Sequence, residues 1–435
     1  MHLESGHFKQ KIGPSTLKIF FPAIFGTIVE YYDYALYGFC ASLLAAQFFP
    51  TEDPNLALLK TFGIFLTGSL SKPFGAIIFG HIGDRIGRQI SLKISMIGII
   101  IPTTLIGCLP TYENIGWIAP FLLLVCRIFQ GIFTSGESDG VRIFIYETIG
   151  QHRPCLANSI SGIACMLGIY LASFAFSIIM RFEAYPNAWR LPFLIGGLLG
   201  MFVFFSRCYL TETPAFVQYL KSSKNIPTNN FFTTILKNKK PIFSTILLCG
   251  SVGGVYHFYM VFFGHYLSNT LALVTPKTTS LYTAKALLIY TLCGPIAGIL
   301  ADRFGPIQIL KISLIGLFIA AIVNTAMINQ GTMNIWVFLA TTVLVSFFSI
   351  PGFIILLQQF SVSERYRCLS FGHAIGSMIF SGSTPIISLY FWSVTKIPTA
   401  PIIYFYFLIS IGFLAIFLLE YDRKYQPNGH ILSTK

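Results

Sequence analysis

The sequence predicts an all-α membrane protein: twelve transmembrane helices in two pseudo-symmetric six-helix bundles. Three observations carry that expectation. The 435 residues are 54% hydrophobic and only 10% charged, with mean hydropathy +0.71, whereas soluble domains carry roughly 25% charged residues. Apolar runs long enough to span a bilayer, which takes about 20 residues, follow one another along the chain and hold many of its 43 Phe and 21 Tyr. An octet also recurs half a chain apart, as Gly80-His81-Ile82-Gly83-Asp84-Arg85-Ile86-Gly87 and Gly298-Ile299-Leu300-Ala301-Asp302-Arg303-Phe304-Gly305. Such a repeat in an apolar chain marks a duplicated transporter, with its substrate path where the halves meet.

In order, the first span (17–47) is apolar but interrupted by Glu30 and Asp33. It lacks a small-residue cleavage site and reads as a retained span, not a signal peptide. The second (57–80) is broken by Lys72-Pro73-Phe74-Gly75 and leads into the first octet, read as a loop before the third (91–109). The fourth (117–146) carries Arg127, Gln130 and Glu137; the fifth (155–180) and sixth (189–210) are rich in glycine, which lets helices approach closely in lipid. The seventh (241–268) is aromatic around Tyr256 and His257. The eighth (277–300) is broken by Cys293-Gly294-Pro295 before the second octet; the ninth to twelfth follow at 306–328, 333–360, 367–393 and 398–421. The domains are therefore 1–214, a linker 215–240 holding the polar run Lys221–Lys240, and 241–435.

The net charge of +13 does not imply nucleic acid, because most of the 29 Lys and Arg fall in loops on one side. Opposite loops carry Glu52, Asp53 and Glu113. This positive-inside bias places both termini in the cytoplasm. Nine scattered cysteines without a CxxC pair support neither a disulfide framework nor a zinc site. Gly80-x-x-Gly83 lacks the Lys-Ser/Thr of a nucleotide loop, so ATP is not the expected energy source. No cofactor is expected; a proton gradient supplies the energy, and the partners are a small-molecule substrate, the proton and the bilayer, for a monomer.

The assembled motifs resemble the major facilitator superfamily and, within it, the metabolite–proton symporter branch. Gly80–Arg88 matches the signature loop between helices 2 and 3. Gly26–Gly38 is similar to the branch's G-x-x-x-E-W/Y-Y-D-F/Y-x-L-Y-G, and Arg127-Ile128-Phe129-Gln130-Gly131 with Gly136-Glu137 to R-x-x-Q-G-x-x-x-G-G-E, Ser135 replacing a glycine. Trp189–Phe193 and Thr211–Phe216 resemble its WRxPF and ETPxF landmarks. The opening YYDYxLYGF and Lys72–Gly75 also look like the intraphagosomal amino-acid transporters of intracellular bacteria. The resemblance implies a bacterial inner-membrane transporter working by alternating access, not an enzyme. The chain departs from the pattern at Pro306, where the first octet is followed by Arg88, and at His373, where many symporters have Tyr-Asn.

Ionisable residues within spans are costly and mark function. Glu30 and Asp33, three apart on the first span with Tyr34 and Tyr37 continuing the face, are expected to share a low-dielectric site and carry the coupling proton. Arg127, with Gln130 one turn on, is expected to neutralise Asp33 or hold a substrate carboxylate. Tyr256, His257 and Lys285 are the second half's candidates for substrate contact. A gate is expected from Gly80, Gly83, Asp84, Arg85, Gly87 and Arg88, from Glu137, Asp139, Arg142, Glu147 and Arg153, and from Asp302, Arg303, Glu364, Arg365 and Arg367. The expected cargo is a small polar metabolite, amino acids first. Dicarboxylates, betaine-like osmolytes boxed by aromatic faces, nucleosides and drug efflux are the alternatives.

Overall fold

In the computed structural model, residues 14–50, 53–148, 153–182, 187–222 and 230–425 are described. The N-terminal half holds α1 (Pro14–Phe39, continued by Ala41–Phe48), α2 (Pro54–Leu70 and Lys72–Arg85), α3 (Arg88–Cys108), α4 (Ile118–Thr148), α5 (Pro154–Ile179) and α6 (Leu191–Arg207). The C-terminal half holds α7 (Lys239–Tyr256, prolonged by π-helical turns His257–Phe263 and Tyr266–Thr270), α8 (Pro276–Phe304), α9 (Pro306–Asn329) and α10 (Ile335–Gln359). It is completed by α11 (Arg365–Gly376, a π turn Ser377–Ser381, and Thr384–Thr395) and α12 (Ala400–Tyr425). Eleven helices among the described residues are long and apolar enough to cross a membrane, and α1 is the twelfth span. Helices satisfy their own backbone polar groups, as hydrocarbon requires. Their outer faces are apolar: Leu198 and Phe202 on α6, Ile312 on α9 and Phe417 on α12 are each more than 60% exposed. The chain is a multi-pass membrane protein.

The linker forms two short helices, Pro214–Ser222 and Phe231–Lys237; its 223–229, with the terminal lysines and Glu52, lie outside the described residues. One expectation changes. The octets are helix ends rather than loops: Gly80 to Arg85 complete α2, and Gly298 to Phe304 complete α8. Only Gly87 (φ 137°) and Gly305 (φ 94°) leave helical space, in the left-handed region that favours glycine. The other octet glycines serve close packing.

Packing between the halves pairs α2 with α11 and α5 with α8, the same two positions in each repeat. The hydrogen bonds joining the halves gather toward the end where α1 begins and α12 ends, here the termini side.

Candidate functional site

Two reciprocal helix caps seal the termini side. Asp84, at the end of α2, accepts from the backbone N–H of Tyr366 (3.1 Å) and Arg367 (3.0 Å), in the first turn of α11. Asp302, at the end of α8, accepts from the N–H of Cys155 (2.9 Å) and Leu156 (3.0 Å), in the first turn of α5. Each octet aspartate thus satisfies orphan donors of a helix in the opposite half, at the positive end of its dipole. The first glycine of each octet permits the approach. A Cβ on Gly80 would lie 2.8 Å from the Arg367 Cα, and one on Gly298 2.8 Å from the Leu156 Cα.

The symmetry ends after the last glycine. Arg88 is fully buried; it pairs with Glu147 (3.0 Å) and donates to the Gly83 carbonyl (2.7 Å) and, across the seam, to that of Val362 (2.5 Å). Its guanidinium lies 4.5 Å over the Phe216 ring. Pro306, following Gly305, offers none of these contacts. Glu147 also holds Arg365 of α11 (2.6 Å), and Arg367 pairs with Asp84 (3.1 Å). Tyr366 donates its hydroxyl hydrogen to the Gly136 carbonyl (2.5 Å) and accepts from Ser91 (2.9 Å). A Cβ on Gly83 would collide with its ring.

Several expected gate residues stand elsewhere. Glu137 grips Arg207, the last residue of α6, through both oxygens and accepts from Ser95 (2.8 Å). That buried pair ties α3, α4 and α6 within one half and closes no mouth. Among the described residues Arg85, Arg153 and Arg303 enter no ion pair: the Arg85 Nε has no partner, Arg153 is exposed, and Arg303 lies 5.3 Å from its neighbour Phe304. Glu364 binds the end of the linker, to Lys237 (3.4 Å) and Asn238 (2.9 Å), and not the opposite half.

Asp33, 4% exposed, sits deep in α1. Its Oδ1 accepts from Thr103 (2.8 Å), and both its oxygens from the Gln130 amide (2.8 Å). Gln130 in turn accepts from Arg127 Nη1 (2.7 Å). Arg127, expected to neutralise Asp33 or hold a substrate carboxylate, is linked to Asp33 by a relay through Gln130. Its cause is local: the guanidinium lies flat on Tyr37 (4.4 Å) and Phe65 (4.9 Å), one turn from where Gln130 meets the acid. Glu30 and Asp33 do not share a site either. Three residues apart they lie about 60° around α1 and one rise of roughly 4.5 Å along it, but Asp33 turns to Thr103 and Gln130 while Glu30 turns to Ser138, about two turns farther along α4. Glu30 accepts from Ser138 of α4, and its Oε2 is buried without a partner.

A second charged group lies beside Glu30. Asp139 Oδ1 contacts His373 Nδ1 across the seam (2.8 Å) and lies 3.6 Å from Arg142. The Arg142 guanidinium covers Phe353 (3.9 Å), against which the His373 ring stands edge-on (5.0 Å). Lys72, at the break in α2, lies 5.8 Å from the Tyr34 ring and within electrostatic reach of Glu30 and Asp139. Sequence reading took Lys72 only as part of a helix break. The cost of a lysine in an apolar span, the argument applied to Asp33, would have found it.

Of the aromatic candidates, Tyr34 packs on Phe65 (4.9 Å) and Tyr256 on Tyr290 (5.4 Å), with Tyr34 and Tyr256 within electrostatic range across the seam. His257 donates from Nδ1 to the Gly253 carbonyl of its own helix (2.8 Å) and stays half-buried. Tyr37 is fully buried, its hydroxyl donating to the Thr61 carbonyl (3.3 Å), and belongs to the packing. Lys285 is corrected: it is exposed in the first third of α8, without a contact to the central group. Among the described residues no group of three or more His, Cys, Asp or Glu is placed to hold a metal.

The family model for sugar (and other) transporters matches residues 19–225. A Staphylococcus aureus (strain COL) protein named "Putative proline/betaine transporter" is 30% identical over 407 residues, covering 91% of this chain and 86% of that one. The Escherichia coli (strain K12) "Proline/betaine transporter" is 28% identical, covering 90% and 81%. Among solved structures, the fold is similar to the major facilitator proton:xylose symporter XylE, with TM-score 0.73, 16% identity and coverage of 94% and 95%. It is also similar to a bacterial homologue of the iron transporter ferroportin, with TM-score 0.65, 14% identity and coverage of 93% and 98%.

Proposed function

Because the chain belongs to the major facilitator superfamily, we propose that it is a proton-coupled importer of a small zwitterion, proline- or betaine-like, in a bacterial inner membrane. The observation that carries this reading is Asp33: a buried carboxylate surrounded by neutral donors, with its nearest cation one residue removed. Burying a charge without a contacting countercharge is costly, and a proton is the simplest partner for it. With Asp33 ionised, Gln130 is committed to the acid and Arg127 to Gln130. Protonation weakens the first link, freeing α1 and α4 to shift against each other.

The mixed central group suits a zwitterion. Lys72 and Arg142 are the partners for its carboxylate. Glu30, with an unsatisfied buried oxygen, is the partner for an ammonium that carries N–H, and the faces of Tyr34 and Tyr256 suit a quaternary one. The relatives' names agree with both. On the positive-inside reading the termini side is cytoplasmic, and on that reading the caps belong to the outward-facing form of an alternating-access cycle.

Reconstituted into liposomes, the protein is expected to accumulate labelled proline or glycine betaine only with an inward proton gradient. Asp33→Asn is expected to lose accumulation while keeping solute exchange. Accumulation indifferent to the gradient refutes the coupling, and failure to move any zwitterion refutes the substrate class.

A further inference from the structure

We propose that His373 and Asp139 form a pH-sensitive latch between the two halves, tightened when the imidazole takes up a proton. It rests on the alternating-access reading above but not on Asp33 as the coupling site. Most ion pairs across this seam use arginines, which stay charged at every physiological pH. Among the described ion pairs, His373–Asp139 is the one that contains a histidine, whose charge changes between about pH 5 and 8.

The geometry gives the proton a consequence. Asp139 keeps 2% of its side-chain surface and His373 22%, so the imidazole is reachable while the carboxylate is not. Asp139 Oδ1 stands between two partners, His373 at 2.8 Å in the opposite half and Arg142 at 3.6 Å on its own helix. A charged imidazole binds the carboxylate across the seam, and in a water-poor setting that attraction far exceeds its value in water. A neutral imidazole offers at most an uncharged Nδ1–H bond, the charge of Asp139 is then balanced by Arg142 alone, and the tie between the halves weakens. Phe353 fixes both competitors, under the guanidinium and against the imidazole. The other titratable groups facing the pair are Lys72 from α2 and Cys249 from α7, both near Asp139, Glu30 from α1, which faces Arg142 and Lys72, and Tyr366 from α11, which is engaged with Gly136 and Ser91. Phe353 of α10 adds no charge. Arg365 and Arg367, in the first turn of α11, are committed to Glu147 and Asp84.

The test is a pulsed electron–electron distance measurement on the full chain in lipid nanodiscs without substrate. Spin labels replace Tyr209 and Phe304, exposed positions at the termini-side ends of α6 and α8 (88% and 51% exposed), in a background with the native cysteines substituted. Lowering the pH from 8 to 5.5 is expected to raise the ratio of closed to open termini-side distances about tenfold, the effect of a proton held roughly ten times more tightly in the latched form. His373→Gln is expected to abolish this response and His373→Lys to hold the short distance at both pH values, while Asp33→Asn retains the response. A wild-type distribution that ignores pH, or a pH response surviving in His373→Gln, overturns the latch. Liposome uptake that ignores the proton gradient would sink the coupling reading without touching this result.

Discussion

Glu137 and Arg207 have no exposed side-chain surface and meet across α4 and α6 with near-complete hydrogen bonding. Removing one partner of such a pair strands the other, at a cost of about 3–5 kcal/mol. Glu137→Gln is therefore expected to lower the melting temperature and membrane yield while leaving the pH response of the protein that does fold unchanged; an unaltered melting curve would refute the structural assignment. Residue type and depth made Asp33, Arg127 and Gln130 legible as a group. Their connectivity was not, because spacing along a helix does not reveal that Tyr37 and Phe65 clamp the guanidinium. Arg207 drew no role from the sequence, since a residue near a span's end looks solvated until its partner on another helix is known. His373 stood out only as a departure from a family pattern, and the carboxylate that gives it meaning lies on a helix of the other half.

The caps set the strength of the seam one helix at a time. Replacing an N-terminal capping aspartate by alanine typically costs about 0.5–2 kcal/mol. Asp302→Ala loses the two N–H bonds to α5, whereas Asp84→Ala also loses the ion pair with Arg367 and removes a charge 3.5 Å from Arg88. Cys155 and Cys368, fully buried in the opening turns of α5 and α11, are native reporters. Peptide-resolved alkylation from the termini side is expected to rise in both variants, more for Asp84→Ala; equal rates would contradict the unequal seams. Span order and approximate ends could be read from hydropathy because lipid demands long apolar helices. The octets were misjudged as loops because glycine suggests a turn, while most of these glycines sit in helix where another backbone passes close by.

Two bundles in register across a pseudo-twofold relation were visible in the repeated octet before any coordinates, since duplication leaves matching positions to do matching work. Gly80 with Asp84 meets α11, and Gly298 with Asp302 meets α5. Bulk at either glycine should wedge the bundles apart: Gly298→Val is expected to increase Cys155 alkylation severalfold and to slow uptake, and a variant still shielded at Cys155 would show that the halves do not touch there in the membrane. The conformational state was beyond sequence reading, because both states must be encoded by one chain. The divergence between Arg88 and Pro306 has a kinetic consequence. One flank is riveted by a buried guanidinium that holds two backbone carbonyls and a carboxylate, and the other has Asp302 and the Asn158–Ile350 bond without such a cation, so the molecule is expected to part as a clamshell does, from its weaker edge. On the proposed transport cycle, release of cargo is expected to begin through a lateral crevice between α5 and α8, with the firmer flank as the pivot.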